Sequence, residues 1–339
     1  MKESDWVGSK SHALKAENTI STHYTDENGI NRVNINTDMT EEEYVAYRAA
    51  IQKEQEEKAT KLYKGAQMKE ECKPYGTFVW VLYKVGKMLF EGRISDATLT
   101  RFMYLSTFTR YRNPKDKKDD RKRKVRINGV DMYGLITDNK VAITKSLAEK
   151  ILRVSAKTLN AFLEECVTAD MMYVDKEGKL YVSTKFIMCG EYSNSGISDT
   201  TDSMRLYCDT VRELYIKTKP NKLATLSYLF LMIPYLNKEW NVLCYNQYEE
   251  NLDNVKMMTL NDYCGIIGYG KHNAARFSKK LTSIVVGNEY AISVNSFGNN
   301  TFVFVNPRIF YAGRNHEKVL EYAKISCPED YANDTNSDE

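Results

Sequence analysis

Between Gly270 and Leu281 the chain reads GKHNAARFSKKL, and its residue types suggest chemistry before any fold is considered. Lys271, His272, Asn273, Arg276, Lys279 and Lys280 crowd together, and no acid interrupts the run from Lys271 to Lys280. Cations at this density suit phosphate neutralisation, the main source of sequence-independent affinity for duplex DNA. Lysine, arginine and asparagine also match the donor and acceptor edges of guanine and adenine in the major groove. For this chemistry the segment must be a helix, with its cations projecting from one exposed side and an apolar bed behind it.

A related stretch lies earlier, at SAKTLNAFLEEC. Ser155 is a natural N-cap, because its hydroxyl can accept a bond from an otherwise orphan backbone N–H. Leu159, Phe162, Leu163 and Cys166 recur at spacings of three and four, the signature of one buried helical face. Ala156, Lys157, Asn160 and Ala161 are then left outside at the N-terminal end. Lys157 and Asn160 could read base edges there, and Ser155 and Thr158 are placed for a phosphate. Glu164 and Glu165 make this helix net negative towards its C-terminal end. The later segment is therefore expected to be the primary contact.

The elements that must hold these helices repeat. Upstream of Ser155, ITKSLAEKILRV offers Thr144 as N-cap, an apolar face of Leu147, Ala148, Ile151 and Leu152, and Val154 to plug a turn. Downstream, MMYVDKEGKLYVS alternates about a turn and predicts a hairpin with Lys176 and Lys179 at its tip. The same order returns in MTLNDYCGIIGYGKHNAARFSKKLT, followed by the hairpin NEYAISVNSFGNNTFVFV. Laid over one another without a gap, Thr144 falls on Thr259, Ile151 on Ile266, Ser155 on Gly270, Leu159 on Ala274 and Phe162 on Phe277. Each copy closes on a glycine, Gly190 in KFIMCG and Gly313 in RIFYAG. Each is led in by apolar segments: TFVWVLYKVGKMLF (strand or helix) and the helix DATLTRFMYLSTFTRY in the first, MRLYCDTVRELYIK and the helix NKLATLSYLFLMIPYL in the second.

Helix, turn, helix and hairpin is the layout of a winged helix-turn-helix. The expected fold is mainly α with small β hairpins (α+β), as two tandem winged helix-turn-helix domains. The expected organisation is a flexible N-terminal segment over 1–38, a helical arm over 39–70 capped by Thr40, and winged-helix domains over 71–193 and 204–316. A linker over 194–203 joins them, and a helix end with an acidic tail occupies 317–339.

The segment Arg110 to Arg126 holds ten basic residues and three aspartates. It reads either as a solvated loop or as a flexible arm, with Arg121, Lys122, Arg123 and Lys124 laid along phosphates or a minor groove. Overall charge argues for no partner, since Lys+Arg 48 against Asp+Glu 45 leaves only +3. Seven cysteines form no CxxC pair and several sit among apolar residues, so reduced, buried thiols are expected. No leader-like apolar core opens the sequence, and no apolar run is long enough to span a bilayer. A cytoplasmic protein of a bacterial cell, with no membrane contact, is the expectation.

No phosphate loop, dinucleotide fingerprint, HExxH or GxSxG occurs, and there are only four histidines. No enzymatic role, cofactor or metal is therefore expected. Most of the 24 tyrosines lie in apolar-periodic stretches, which suits core or interface positions.

The run from Ser155 to Glu165 with the following hairpin and KFIMCG resembles the C-terminal part of RepL-type replication proteins of Gram-positive plasmids and related phages. VNPRIFYAG, Val305 to Gly313, looks like the asparagine-proline and glycine ending of that family; STKFIMCG is a looser version without the proline. The resemblance covers only part of each copy and leaves residues 1–70 outside. Tandem winged helices are also similar in architecture to iteron-plasmid initiators, with no shared residue motif. The resemblance implies sequence-specific binding of double-stranded DNA in replication initiation or transcription regulation, with host replication or transcription proteins as further partners. Separately, the helix over 39–70 alternates its charges in sign, which suits either a solvated arm or a homodimerising helix. The alternative is an adaptor whose helices grip a host protein rather than DNA.

Overall fold

The computed structural model describes residues 19–25, 31–37, 49–60, 63, 75–109, 124–189, 203–270, 273–297 and 300–325. Residues 1–67 and 68–339 separate into two compact units. In the first, β1 (Thr19–Thr25) pairs antiparallel with β2 (Asn31–Thr37), and helix α1 spans 49–60. The hairpin places two paired strands within the segment expected to be flexible over 1–38. TISTHYT and NRVNINT are rich in β-branched residues, which favour strands even in a polar stretch. The proposed cap of the arm, Thr40, lies outside the described residues.

The larger unit is organised about one antiparallel sheet. Its strands are β3 (Phe78–Leu82), β8 (Ile187–Met188), β9 (Ser203–Tyr207) and β14 (Phe310–Tyr311), in the order β14-β9-β3-β8. At the centre β3 and β9 pair with Trp80 opposite Arg205. On one side Trp80 pairs with Met188 and Val81 with Ile187; on the other Arg205 pairs with Tyr311 and Leu206 with Phe310. The step along the chain that carries Trp80 to Arg205 also carries Val81 to Leu206. In the partner strands, Met188 to Tyr311 and Ile187 to Phe310 are likewise equal steps. A twofold rotation through the Trp80–Arg205 pair, normal to the sheet, therefore exchanges the two halves of the pairing pattern.

The alternation along β3 and β9 gives each face its own core, because successive side chains point to opposite sides. Val79, Val81, Met204 and Leu206 join the main core. That core takes in α3 (Asp96–Ser106) and α7 (Leu223–Met232), which pack on each other. On the opposite face Phe78, Tyr207 and Tyr311 meet Val319 of α10 (His316–Ala323). Arg205 is fully buried there, donating from Nε to the Tyr311 carbonyl at 3.1 Å and from Nη2 to that of Gly313. His316, also buried, lies 2.6 Å from the Tyr207 hydroxyl and stacks on Tyr75 at 3.8 Å between ring centroids.

Outside the α3–α7 pair lie α5 (Ala156–Thr168), packed on α3, and α9 (Ala274–Thr282), packed on α7. α4 (Lys145–Leu152) and α8 (Leu260–Ile266) precede them. After α5 come β6 (Met172–Val174) and β7 (Leu180–Ser183), in a second four-stranded sheet with β4 (Lys124–Ile127) and β5 (Val130–Gly134). After α9 come the short pair β10 (Val285–Val286) and β11 (Glu289–Tyr290), then the hairpin of β12 (Ile292–Phe297) and β13 (Asn300–Val305). α2 (Lys84–Phe90) and α6 (Cys208–Lys217) follow the central strands β3 and β9.

These observations overturn the expected fold class. The chain is α+β, but its strands are not confined to small hairpins, and it does not divide into two tandem winged helix-turn-helix domains. Residues 68–339 are one compact unit, and the central sheet takes strands from both expected domains. The physical reason is that β3 and β9, each at one end of an expected domain, would leave a row of unpaired backbone groups. Pairing them satisfies their backbone groups and buries both faces. β9 begins at Ser203, inside the expected 194–203 linker, and the rest of that span lies outside the described residues. Among the described residues no helix is long and apolar enough to cross a membrane.

Candidate nucleic-acid interface

The second helix pair is built on a locally encoded entry. Thr259 caps α8, accepting from Asp262 N–H at 3.2 Å, while the Asp262 carboxylate accepts from Thr259 N–H at 3.3 Å, a reciprocal capping box. The turn out of α8 closes with Tyr269 N–H donating to Cys264 O (2.9 Å) and Gly268 N–H to Gly265 O (3.4 Å). Gly268 takes φ +69°, the left-handed conformation this helix ending requires. Tyr269 then plugs the core, its ring 4.7 Å from Phe277 and 5.6 Å from Tyr228.

α9 is fixed from behind by Phe277 and Leu281, both fully buried. Phe277 also meets Tyr228 at 5.1 Å. Asn273, Ala275, Arg276 and Lys279 are exposed. Asn273 occupies the N-cap position without capping through its side chain, which leaves its amide for another partner. Lys280 is half-buried and its ammonium stands 5.3 Å from the centre of the Tyr269 ring. That contact attracts the cation to the ring face and holds it against the turn. Lys271 and His272 lie outside the described residues. Asn273, Arg276 and Lys279 thus share an outward face, while Lys280 is set beside it.

The first helix pair closes in the same way. Val154 N–H donates to Glu149 O (3.2 Å) and Arg153 N–H to Lys150 O (3.3 Å), bond for bond the turn at Tyr269 and Gly268. Here Arg153, at φ +55°, takes the place of Gly268. Both N-cap threonines bridge to the hairpin that follows their helix pair, Thr144 to Lys179 and Thr259 to Phe302. Ser155 caps α5, accepting from Thr158 N–H at 3.3 Å, and the two hydroxyls lie 3.1 Å apart. Thr158 therefore serves its own helix end. Lys157 and Asn160 are exposed, as is Glu164. Glu165 is spent elsewhere, accepting from Ser95 N–H at 2.7 Å at the start of α3.

The first hairpin tip is less basic than its lysines suggest. Lys179 Nζ sits 2.5 Å from Glu177 Oε2, and its ammonium pKa is raised chiefly by that bond. Asp175 accepts from the backbone N–H of Glu177 (2.9 Å) and Lys179 (2.8 Å), which fixes its carboxylate in the same turn. Lys176 and Glu177 are exposed there, and the two acids, Asp175 and Glu177, balance the two lysines. Asp175 and Glu177 flank Lys176 in DKEGK, so this balance is legible in the sequence.

Of the basic run, Arg121, Lys122 and Arg123 lie outside the described residues, and Lys124 opens the edge strand β4. Asn128 and Gly129 join β4 to β5 with positive φ at both positions (+50° and +77°). An Asn-Gly pair between strands is a strong hairpin signal.

No protein-family model, curated protein or solved structure matches this chain, so the likeness to RepL-type proteins rests on the quoted residues alone.

Proposed function

We propose that this chain is a sequence-specific double-stranded DNA-binding protein whose principal contact is the outward face of α9. One observation carries the reading: Asn273, Arg276 and Lys279 stand in solvent on a helix pinned from behind by Phe277 and Leu281. A helix so anchored presents cations and an amide in fixed relation, which suits phosphate positioning together with base-edge contact. The β12–β13 hairpin, packed beside α9, would lie along the flanking backbone. Lys157 and Asn160 of α5 supply a weaker second contact, opposed by Glu164.

The likeness to RepL-type proteins supports a role in replication initiation or transcription regulation on a plasmid or phage genome. Mapping where the protein sits on the genome that encodes it distinguishes them. Direct repeats beside an AT-rich stretch mean initiation; promoter overlap means regulation. Duplex affinity across a salt series tests the DNA reading itself. Weak binding that is indifferent to salt would point instead to a protein-docking role for these helices.

A further inference from the structure

The internal twofold has a consequence for how one chain meets one duplex. An axis normal to the central sheet keeps everything it exchanges on one side of that sheet. Extended from the strands to the helices that follow them in the same order, it exchanges α3 with α7, and therefore α5, packed on α3, with α9, packed on α7; the packing of these pairs agrees with that extension. The matching turns at Val154 and Tyr269, and the matching bridges from Thr144 and Thr259, show that the equivalence extends to the helix pairs. Counting from those turns, Phe162 is equivalent to Phe277 and both are buried. Ala161 is then equivalent to Arg276 and Glu164 to Lys279, and all four are exposed. The two outer helices thus share an anchoring scheme and one core, over the Val79 and Leu206 face of the central sheet, and their outward charges are opposite; the twofold of the strand pairing, carried out to them, sets them in inverted polarity.

We propose that a single chain engages one duplex at two places in inverted relation, firmly through α9 and loosely through α5. The site would be a pseudo-palindrome with only one half strongly specified. The inference rests on the reading of α9 as a DNA contact. Ala161 and Glu164 are what keep the α5 half weak: where α9 offers two cations, α5 offers a methyl group and an anion.

The test transplants the α9 charges onto α5 in the full chain, as Ala161→Arg with Glu164→Lys, leaving Glu165 to hold Ser95. Binding to a 40-base-pair duplex of mixed sequence is followed across salt, and the stoichiometry is measured by sedimentation. If both helices meet the same duplex, the grafted chain still binds one duplex per chain. Its log–log salt slope steepens by about two, one for each phosphate newly neutralised. An unchanged slope, or a second duplex bound per chain, overturns the two-place arrangement while leaving the α9 contact standing. Failure of the parent chain to bind the duplex at all overturns both.

Discussion

Arg276 and Phe277 are consecutive in sequence and face opposite ways: the phenylalanine is fully buried, 5.1 Å from the Tyr228 ring, and the arginine stands in solvent. One side chain fixes the helix, and the other is held out by it. The functional account depends on that division of labour, since a cation on a loosely held helix would bind phosphate without register.

Reversing the exposed charges of α9 should weaken duplex binding far more than reversing that of α5. Arg276→Glu with Lys279→Glu is expected to cost at least tenfold in Kd at about 0.1 M salt, because each change replaces a phosphate contact by a repulsion. Lys157→Glu should cost less than either single α9 reversal. Titrations under one salt condition decide it, and an equal or reversed order would contradict the ranking of the two helices.

Removing the anchor should be felt in stability. Phe277→Ala leaves a cavity among Tyr228, Tyr263 and Tyr269, and deletions of this kind cost about 3–5 kcal/mol. Urea denaturation of the variant checks the value. A loss under about 1 kcal/mol would mean that α9 is held by something other than this packing.

The two equivalent turns make opposite predictions for glycine. Gly268→Ala places a side chain at φ +69° where no atom lies within 4 Å of the new Cβ, so the cost is conformational, about 1 kcal/mol. Arg153→Gly relieves the same strain in the first turn and gives up a surface bond from Nη1 to Ile216 O at 3.3 Å. It is expected to leave stability within about 1 kcal/mol of the parent, on the stabilising side. Thermal or urea unfolding of the two variants would test the equivalence, and destabilisation by both would break it.

His316 gives the fold an acid sensitivity. Burial, and then the charge of Arg205, lowers its pKa to about 3. An unfolded chain titrates this group near 6.5. Above that value histidine is neutral in both states and contributes no pH dependence. As pH falls below it, the unfolded chain takes up a proton that the fold refuses, and stability drops by about 1.4 kcal/mol per unit. Between pH 6.5 and 5 the parent should therefore lose about 2 kcal/mol more than His316→Gln. Parallel losses in urea denaturation at the two pH values would contradict the burial of a neutral imidazole.

Local chemistry made much of this molecule legible. Thr144 and Ser155 could be read as caps because a cap depends on one hydroxyl and the next turn of backbone, and Thr259, which falls on Thr144, caps its helix in the same way. The buried row of α5, from Leu159 to Cys166, followed from spacing alone. The central sheet was not legible. TFVWVL suits a strand or a helix until its partner is known, and the partner of Trp80 is Arg205, far along the chain. Two repeated layouts therefore looked like two domains, whereas pairing β3 with β9 fuses them. The local partners of Lys179 and Lys280, Glu177 and the Tyr269 ring, were not legible either, because residue type alone does not show which neighbour a lysine meets.

The most direct test of the central claim is the dependence of duplex affinity on salt, measured for the parent chain and for Arg276→Glu with Lys279→Glu. The account predicts a steep linear fall of log affinity with log salt for the parent, flattened by about two in the variant. A parent slope near zero, or one that the two substitutions leave unchanged, would contradict the claim that this helix face meets the phosphates of DNA.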